Sequence, residues 1–516
     1  MKPKRTTSEK VLIALFIAVL LFFAGITVYL MAQTLRDQNA PVIRETLGLQ
    51  YTSNGDGTCS VIGIGNCKDT EIIIPSKHAG MSVTGIGKEA FRKSNLTSVT
   101  IPNGVTSIGD FAFYDCSSLT KITVPNSVEN IGESAFRDCF SLTEFTIPVG
   151  VTAIGKSAFE GCSGLTKITV PNSVESIGES AFRNCSSLTE FTVPNSVESI
   201  GKSAFRNCSS LTEFTVPNSV ESIGESAFRD CSKLTSITLP FIGASADQEQ
   251  YFGYIFGAKG TSENRKYVPD SLRTVVITGG SSIGYSAFSG CSGLASITLP
   301  DSVTSIDEKA FHYCESLTEM VIPNGVKSIG DQAFYHCTGL MGVTVPDSVT
   351  SIGKSAFSSC SALTEITIPD GVESIGSYAF SDCSALREIT IPSALKSIDE
   401  KVFYACSGLT KVTIPNGVES IGKSAFSYCS ALKDITIPES VSAIGDSAFY
   451  KCVALMEIAI SKSVTAIGDS ALYHCSNLTV IRFMGTTAEW NTVSKGLDWN
   501  ADICATEVIC SDGTAR

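Results

Sequence analysis

Cysteine and histidine are the residues of this 516-residue sequence whose chemistry could support a metal site or a network of disulfides. There are 19 Cys and 4 His. His78 lies in the N-terminal part of the chain, whereas His312, His336 and His474 each lie one or two residues before a Cys. None of the four forms H-E-x-x-H or pairs with C-x-x-C, so the sequence predicts no metal site and no cofactor.

The spacing of the cysteines shows what most of them are. Fifteen follow one another at a step of 23 residues, with a single step of 60 between Cys231 and Cys291. A fixed period of this length is typical of repeat architectures, so these cysteines are one position of a repeated unit. They are Cys116, Cys139, Cys162, Cys185, Cys208, Cys231, Cys291, Cys314, Cys337, Cys360, Cys383, Cys406, Cys429, Cys452 and Cys475.

The repeat cysteines are predicted to be free thiols packed in a core. Cysteines stacked in one column have parallel Cβ vectors, which suits a disulfide poorly, and an odd number cannot all pair. Cysteine is also among the most commonly buried small residues. The remaining four lie outside the repeat, and Cys59 with Cys67 and Cys504 with Cys510 are close enough in sequence for local bridges. The sequence leaves those two bridges open.

One unit, residues 116–138, reads CSSLTKITVPNSVENIGESAFRD. Leu119, Ile122 and Val124 predict a short strand, and a second short extended piece precedes Gly132. At Gly132 either a side chain would clash or φ must be positive. One unit cannot bury its apolar face alone, so sixteen rungs are expected to stack as parallel strands about 4.8 Å apart around one core.

The repeated pattern, L-x-x-I-x-[IVL]-P followed by V-x-x-I-G-x-x-A-F-x-x-C, resembles the leucine-rich repeat of BspA-like bacterial surface proteins over about residues 60–483. The resemblance implies a β-rich solenoid of leucine-rich-repeat type, displayed at a cell surface and associated with adhesion. It implies no catalytic residue. The recurring Gly-x-Ser-Ala-Phe lacks the second glycine of a nucleophile elbow, and no enzyme is expected.

The N-terminus predicts a transmembrane helix ahead of the solenoid. Residues 11–32 carry no charge and are long enough to cross a bilayer, and Lys2, Lys4, Arg5 and Lys10 precede them. This bias places the N-terminus in the cytoplasm and the repeats outside. An uncleaved signal anchor is preferred to a cleaved signal peptide, whose apolar region would be shorter. The expected segments are a cytoplasmic segment 1–10, the signal anchor 11–32, a stalk 33–50, an N-terminal cap 51–74, repeats 75–240, an insertion 241–271, repeats 272–482 and a C-terminal cap 483–516.

The insertion is the first candidate ligand-binding region because aromatic residues are enriched in it. Its candidate residues are Tyr251, Phe252, Tyr254 and Phe256. Rings of this kind serve interfaces and cores alike, so two readings are open. The segment either projects as a recognition loop or packs down as a buried plug.

The two positions between Phe and Cys of each rung form the second candidate region. Early rungs carry Arg92, Arg137, Arg183, Arg206 and Arg229, whereas later rungs are rich in Tyr and His. The candidates here are Tyr335, Tyr404, Tyr428 and Tyr450, since tyrosine is favoured at binding hot spots. The alternative is ordinary variation at an exposed turn.

Net charge excludes one class of partner. Lys and Arg number 38 against 51 Asp and Glu, a net charge of −13, which offers no basic surface for nucleic acid. The sequence therefore predicts a membrane-anchored cell-surface protein that binds an extracellular protein or glycan and has no small-molecule substrate. The alternative is a structural spacer without a specific ligand.

Overall fold

The computed structural model describes residues 45–248 and 250–515, and residues 48–516 form one compact unit. This unit is a parallel β-solenoid of about 20 turns, which confirms the predicted repeat solenoid but exceeds the sixteen rungs expected from the repeat. The predicted cytoplasmic segment, signal anchor and most of the stalk lie outside the described residues. Within the described residues, none of the helices combines the length and apolar character needed to cross a membrane.

The first side of each rung is a strand of three or four residues beginning two positions after the repeat leucine. Neighbouring strands pair in parallel and in register, as in Glu144 with Lys167 and Thr146 with Thr169. The strands of this column are Glu71–Ile73, Ser98–Thr100, Lys121–Thr123, Glu144–Thr146, Lys167–Thr169, Glu213–Thr215, Ser236–Leu239, Thr274–Ile277, Ser296–Thr298, Glu319–Val321, Gly342–Thr344, Glu365–Thr367, Glu388–Thr390, Lys411–Thr413, Asp434–Ile437, Glu457–Ile460, Val480–Phe483 and Val508–Cys510.

In the repeats the second side is a two-residue strand that ends at the isoleucine before the repeat glycine or the aspartate in its place, and it also pairs in parallel. In the C-terminal cap the last strand of this side ends at Lys495. Its members are Ser107–Ile108, Asn130–Ile131, Ala153–Ile154, Ser176–Ile177, Ser199–Ile200, Ser222–Ile223, Ser282–Ile283, Ser305–Ile306, Ser328–Ile329, Ser351–Ile352, Ser374–Ile375, Ser397–Ile398, Ser420–Ile421, Ala443–Ile444, Ala466–Ile467 and Ser494–Lys495.

The third side is built from tight turns, yet it also hydrogen-bonds from rung to rung. The backbone N–H groups of Ser134, Phe136 and Asp138 donate to carbonyls of the next rung at 2.7–2.9 Å. Ser134 and Asp138 have φ values of 54° and 61°, in the left-handed region. Every second backbone N–H of this turn therefore points along the solenoid axis, as the donors of a parallel strand do.

The core consists of columns of identical residue types. Phe113 and Phe136 stack with ring centroids 5.2 Å apart and planes only 4° from parallel. Equivalent pairs along both blocks lie 5.1–5.6 Å apart. Such pairs contribute about 0.5–1.5 kcal/mol each beyond the burial of their area. The phenylalanine stack therefore runs through the interior beside the leucine, isoleucine, valine and cysteine columns.

Both ends of the stack are closed by irregular structure. At the N-terminal end Gln50–Ser53 pairs antiparallel with Thr58–Gly63, and Lys77–His78 pairs antiparallel with Met81–Ile86, the strand that starts the second side. At the other end Val508–Cys510 pairs antiparallel with Gly513–Ala515. An α-helix at Thr487–Thr492 there holds buried Trp490 against Phe483, with ring centroids 5.0 Å apart. Antiparallel ends occupy the strand edges that would otherwise invite another chain.

The repeat glycine is required by close approach of the backbone rather than by a positive φ. At Gly201 a Cβ atom would lie 2.6 Å from the backbone nitrogen of Glu179 in the preceding rung, and its φ is not in the left-handed region. Of the two reasons anticipated for this glycine, the steric one is therefore correct. Asp307 and Asp399 replace the glycine in two rungs, so the backbone can adjust locally.

We expect Gly201→Ala to lower the free energy of unfolding by about 1–3 kcal/mol, because the added methyl group pushes two packed rungs apart. Thermal unfolding followed by circular dichroism measures the loss. Gly342→Ala is the matched control, since nothing lies within 4 Å of its ideal Cβ position. Equal losses in the two variants would contradict the steric explanation.

Candidate functional site: the turn stripe, the enlarged rung and the cysteine column

The turn stripe comprises the two residues between Phe and Cys of each rung, here named the first and second stripe positions. The second position has a left-handed backbone, with φ of 62° at Asn184, 63° at Tyr428 and 58° at Lys451. Glycine, asparagine and aspartate adopt this conformation most readily. Gly161 and Asp230 occupy the second position elsewhere and match that preference.

In the first block the stripe is a ladder of ion pairs. Buried Glu160 lies between two rungs, with its carboxylate oxygens 3.4 Å from Arg137 Nη1 and 3.6 Å from Arg183 Nη1. Arg206 and Arg229 both approach Asp230, at 3.4 and 3.5 Å. The arginine stripe is thus neutralised by the protein's own carboxylates.

Tyr335 belongs to a four-ring cluster in the second block. Its ring stacks on His312 with centroids 5.1 Å apart, and Tyr313 lies 4.7 Å from His336. Burial lowers the pKa of His312, and the positive charges of Lys309 and His336 lower it further. These rings are half-buried.

The other three candidate tyrosines come together three rungs further along. Tyr428 lies 5.4 Å from both Tyr404 and Tyr450, edge to face, and Tyr450 lies 5.7 Å from Tyr473. Tyr428 is 36% exposed, and the other three rings are half-buried. We call Tyr404, Tyr428, Tyr450 and Tyr473 the tyrosine patch. Burial and the neighbouring Tyr428 raise the pKa of Tyr404, so its hydroxyl stays protonated and able to donate.

Two lysines lie on the rings of this region. Lys401 lies 5.7 Å from the Tyr404 ring centroid, donates a hydrogen bond to the Tyr378 hydroxyl at 2.9 Å and lies 3.8 Å from Glu400 Oε1. Lys451 lies 5.3 Å from the ring centroids of both Tyr428 and Tyr450. Among the ion pairs of the described residues, none includes Lys451. The sequence pattern of tyrosines did not single out this lysine.

Residues 241–271 form an enlarged rung rather than a projecting loop. The N–H of Phe228 in the preceding rung donates to Ile255 O at 2.8 Å, and the N–H of Phe252 donates to Ala287 O of the following rung at 2.9 Å. The segment contains 3₁₀-helices at Phe252–Phe256 and Thr261–Glu263 and an α-helix at Asn264–Tyr267. It therefore continues the inter-rung hydrogen bonding where the repeat is interrupted.

Two of the candidate residues in this segment must be corrected. Phe252 and Phe256 are completely buried and pack on each other, with Phe252 5.0 Å from Phe288 of the next rung. They cannot contact a ligand because they continue the hydrophobic core. Tyr251 and Tyr254 are partly exposed and lie 5.9 Å apart.

A buried asparagine that the sequence did not highlight holds the enlarged rung in place. Asn264 Oδ1 accepts a hydrogen bond from Gly253 N at 2.9 Å, and its Nδ2 donates to Ala287 O at 3.2 Å. Both polar ends of this fully buried side chain are therefore satisfied, as burial of an amide requires. A single asparagine in a non-repeating segment offers no periodic signal to identify it.

The fifteen repeat cysteines are free and buried, as predicted. In fourteen of them Sγ donates to the carbonyl of the phenylalanine in the preceding rung, as Cys337 does to Phe311 O at 3.2 Å. Burial raises the pKa of both Cys162 and Cys337 to about 12. These thiols are therefore structural donors and poor nucleophiles.

The four cysteines outside the repeat are also free thiols in this structure. Their sulfurs lie against different backbone carbonyls, namely Met81 and Asp69 for Cys59 and Cys67, and Ser476 and Val508 for Cys504 and Cys510. Neither suggested bridge is formed, and only Cys504 is exposed.

Known proteins resemble this chain along most of its length. The family model described as the BspA type leucine-rich repeat region, with six copies, matches residues 65–188, 152–246, 281–410 and 396–493. A leucine-rich repeat protein from Bacteroides ovatus is 27% identical over 90% of this chain and 98% of its own, with a TM-score of 0.45. A leucine-rich cell surface protein from Faecalibacterium prausnitzii is 26% identical over 89% of this chain and 98% of its own, with a TM-score of 0.30. No curated protein matches the chain.

The cysteine column should make the solenoid sensitive to alkali. Its folded-state thiol pKa values lie above those of an unfolded chain, near 8.5, so the folded protein keeps protons that the unfolded chain releases. The contribution is complete below about pH 8.5 and is lost as pH rises toward 12, by up to about 1.4 kcal/mol per thiol per pH unit. Urea unfolding at pH 8 and pH 10 measures the decline.

The matched variant is Cys162→Ser with Cys337→Ser, whose hydroxyl groups can still donate to the phenylalanine carbonyls but do not ionise in this range. Its stability should fall less steeply between pH 8 and pH 10 than that of the parent protein, while lysine and tyrosine titration remains common to both. Identical slopes would show that the thiols do not cause the decline.

Proposed function

We propose, because this chain belongs to the BspA-type leucine-rich-repeat proteins, that it is a cell-surface binding protein which holds an extracellular protein or glycan and catalyses no reaction. The solenoid is the scaffold, and the tyrosine patch is the contact surface. The observation that carries the proposal is the alignment of four partly exposed tyrosine rings on four successive rungs of the turn stripe.

The chemistry of the tyrosine patch supports this role. Tyrosine combines a large apolar ring with a hydroxyl group, and ordering it costs little conformational entropy because it has only two side-chain torsions. The rings also contact one another and are attached to a hydrogen-bonded turn, which further reduces the entropy lost on binding. A rigid aromatic row of this kind suits an extended partner that crosses several rungs.

We further propose that residues 11–32 anchor the protein in a membrane, with the N-terminus in the cytoplasm and the repeats outside. The support is the uncharged length of this segment and the four basic residues before it. Anchoring would hold the tyrosine patch at the surface of the cell, where an extracellular partner can reach it.

The first test removes the aromatic surface. The variant Tyr335→Ser, Tyr404→Ser, Tyr428→Ser and Tyr450→Ser should fold, because Ser358 and Ser359 occupy the two stripe positions of another rung, Ser359 with φ of 61°. Full-length protein is presented to purified extracellular-matrix proteins and to a glycan array. The parent should retain a reproducible ligand and the variant should bind it at least tenfold more weakly.

Two outcomes would count against the proposal. Undiminished binding by the four-serine variant would exclude the aromatic surface. Absence of any reproducible ligand for a correctly folded protein would favour the structural spacer, whose function needs only a stiff rod. Arg206→Ser is the control, since Arg206 lies in the first block and is neutralised by Asp230.

The second test concerns the anchor. Full-length protein should stay in the membrane fraction after alkaline carbonate extraction, and external protease should remove the repeats from intact cells. Introducing Val19→Lys with Phe22→Lys costs about 2.5–3.5 kcal/mol per charge at the centre of a spanning helix, so insertion should fail. Recovery of the parent protein in the soluble fraction, or protection of its repeats from protease, would contradict the proposed topology.

A further inference from the structure

We propose that the tyrosine patch binds a sugar carrying an isolated carboxylate, a sialic or uronic acid, with Lys451 as the residue that pairs with that carboxylate. The proposal rests on the function proposed above and names the class of ligand. Its basis is a lysine that has no ion-pair partner among the described residues and that lies against two aromatic rings, on a protein of net negative charge.

The charge environment of Lys451 differs from that of the other cations on this surface. In the second block it is the only lysine or arginine at a stripe position. Lys401, three residues before Tyr404, lies near the Glu400 carboxylate and donates a hydrogen bond to the Tyr378 hydroxyl. His474, in the rung after Lys451, has its Nδ1 3.0 Å from Asp502 Oδ2. Within the described residues no carboxylate oxygen lies within ion-pairing distance of Lys451, so its positive charge is available to a ligand.

The rings around Lys451 strengthen its interaction with an anion. Its ammonium group lies against both the Tyr428 and Tyr450 rings, 5.3 Å from each centroid, and the residue is half-buried. Partial removal from water raises the strength of a charge-assisted hydrogen bond to a carboxylate. An ammonium group has three N–H donors, so one can meet the ligand while the rings hold the group in place.

The tyrosines favour a sugar as the carrier of that carboxylate. Tyrosine hydroxyl groups donate and accept, which suits sugar hydroxyls, and the ring surfaces can pack against the C–H faces of a pyranose. The Tyr404 and Tyr450 rings each pack edge to face against Tyr428 at 5.4 Å, so the three rings present one continuous aromatic surface against which a pyranose can lie.

The net charge of the protein limits the charge of the ligand. A chain of net charge −13 repels a densely anionic polymer, and Lys451 can pair with one carboxylate at a time. We therefore expect an oligosaccharide with a single acidic residue to bind better than both its neutral counterpart and a heavily sulfated polymer.

The test uses full-length protein in mild detergent and measures binding of sialyllactose, lactose, a disaccharide ending in glucuronic acid, and heparin fragments. At least one carboxylated sugar should bind at least tenfold more tightly than lactose, and heparin should not exceed it. The two carboxylated probes distinguish a sialic acid from a uronic acid as the source of the carboxylate.

Variants assign the effect to the lysine. Lys451→Gln should reduce binding of the carboxylated sugar to the level of lactose, whereas Lys451→Arg should retain most of it. Lys423→Gln is the matched control, because Lys423 is an exposed lysine of the preceding rung that directly follows the repeat glycine Gly422, outside the turn stripe. It should leave binding unchanged, and thermal unfolding checks that every variant is folded.

Equal affinity for lactose and both carboxylated sugars, or unchanged binding by Lys451→Gln, would overturn the inference. So would a ligand that proves to be a protein or an acidic peptide. If the ligand is of another class but the four-serine variant still loses it, the sugar inference fails and the proposed binding function stands. If the four-serine variant binds as well as the parent protein, the proposed function fails as well.

Discussion

Parallel stacking of each rung on the one before it is the constraint on which the rest of this structure depends. Hydrogen bonds join successive rungs on all three sides, including the turn side, where Phe136 N meets Ala158 O at 2.9 Å. A residue therefore has the same neighbours as its equivalent 23 positions later. This explains why a glycine recurs where the backbones of two rungs touch. It also explains why a cysteine recurs where its thiol can donate a hydrogen bond to the phenylalanine carbonyl of the preceding rung.

The hydrophobic period was sufficient to predict the first two sides of the rung, because apolar residues alternate along them and proline ends the pairing. The third side carries no comparable signal. Ser134 and Asp138 look like ordinary polar turn residues, and their left-handed backbone becomes meaningful only once the next rung is in place to accept their N–H groups. The thiol hydrogen bonds were missed for the same reason, since Cys337 meets Phe311 only across the stack.

The candidate site was likewise predictable from the sequence only in part. Position in the repeat was enough to locate Tyr404, Tyr428 and Tyr450 on one turn column, and the rung spacing then determines that their rings touch. Aromatic content alone could not separate surface from core at Phe252 and Phe256. There the interrupted stack still requires a core and hydrogen-bond partners, and the enlarged rung supplies both. The sequence could not single out Lys451, because what distinguishes it is spatial: within the described part of the chain no carboxylate oxygen lies within ion-pairing distance of it, while two tyrosine rings do contact it.

Stacking also separates the residues that determine the fold from those that are free to change. Core columns tolerate little variation, whereas a side chain at a stripe position need only be compatible with the backbone conformation of the turn.

The second stripe position still imposes a condition, because a left-handed backbone costs most side chains about 1–2 kcal/mol relative to glycine. Asp, Asn and Gly meet it cheaply at most second positions of the first block, whereas Tyr313, His336, Tyr428, Lys451 and His474 occupy it in the second block. Residues held in such sparsely populated conformations concentrate at ligand-binding sites. Tyr428 and Lys451 accept this cost on neighbouring rungs, where they bring an aromatic ring and a cation together at the surface, as the proposed binding role requires.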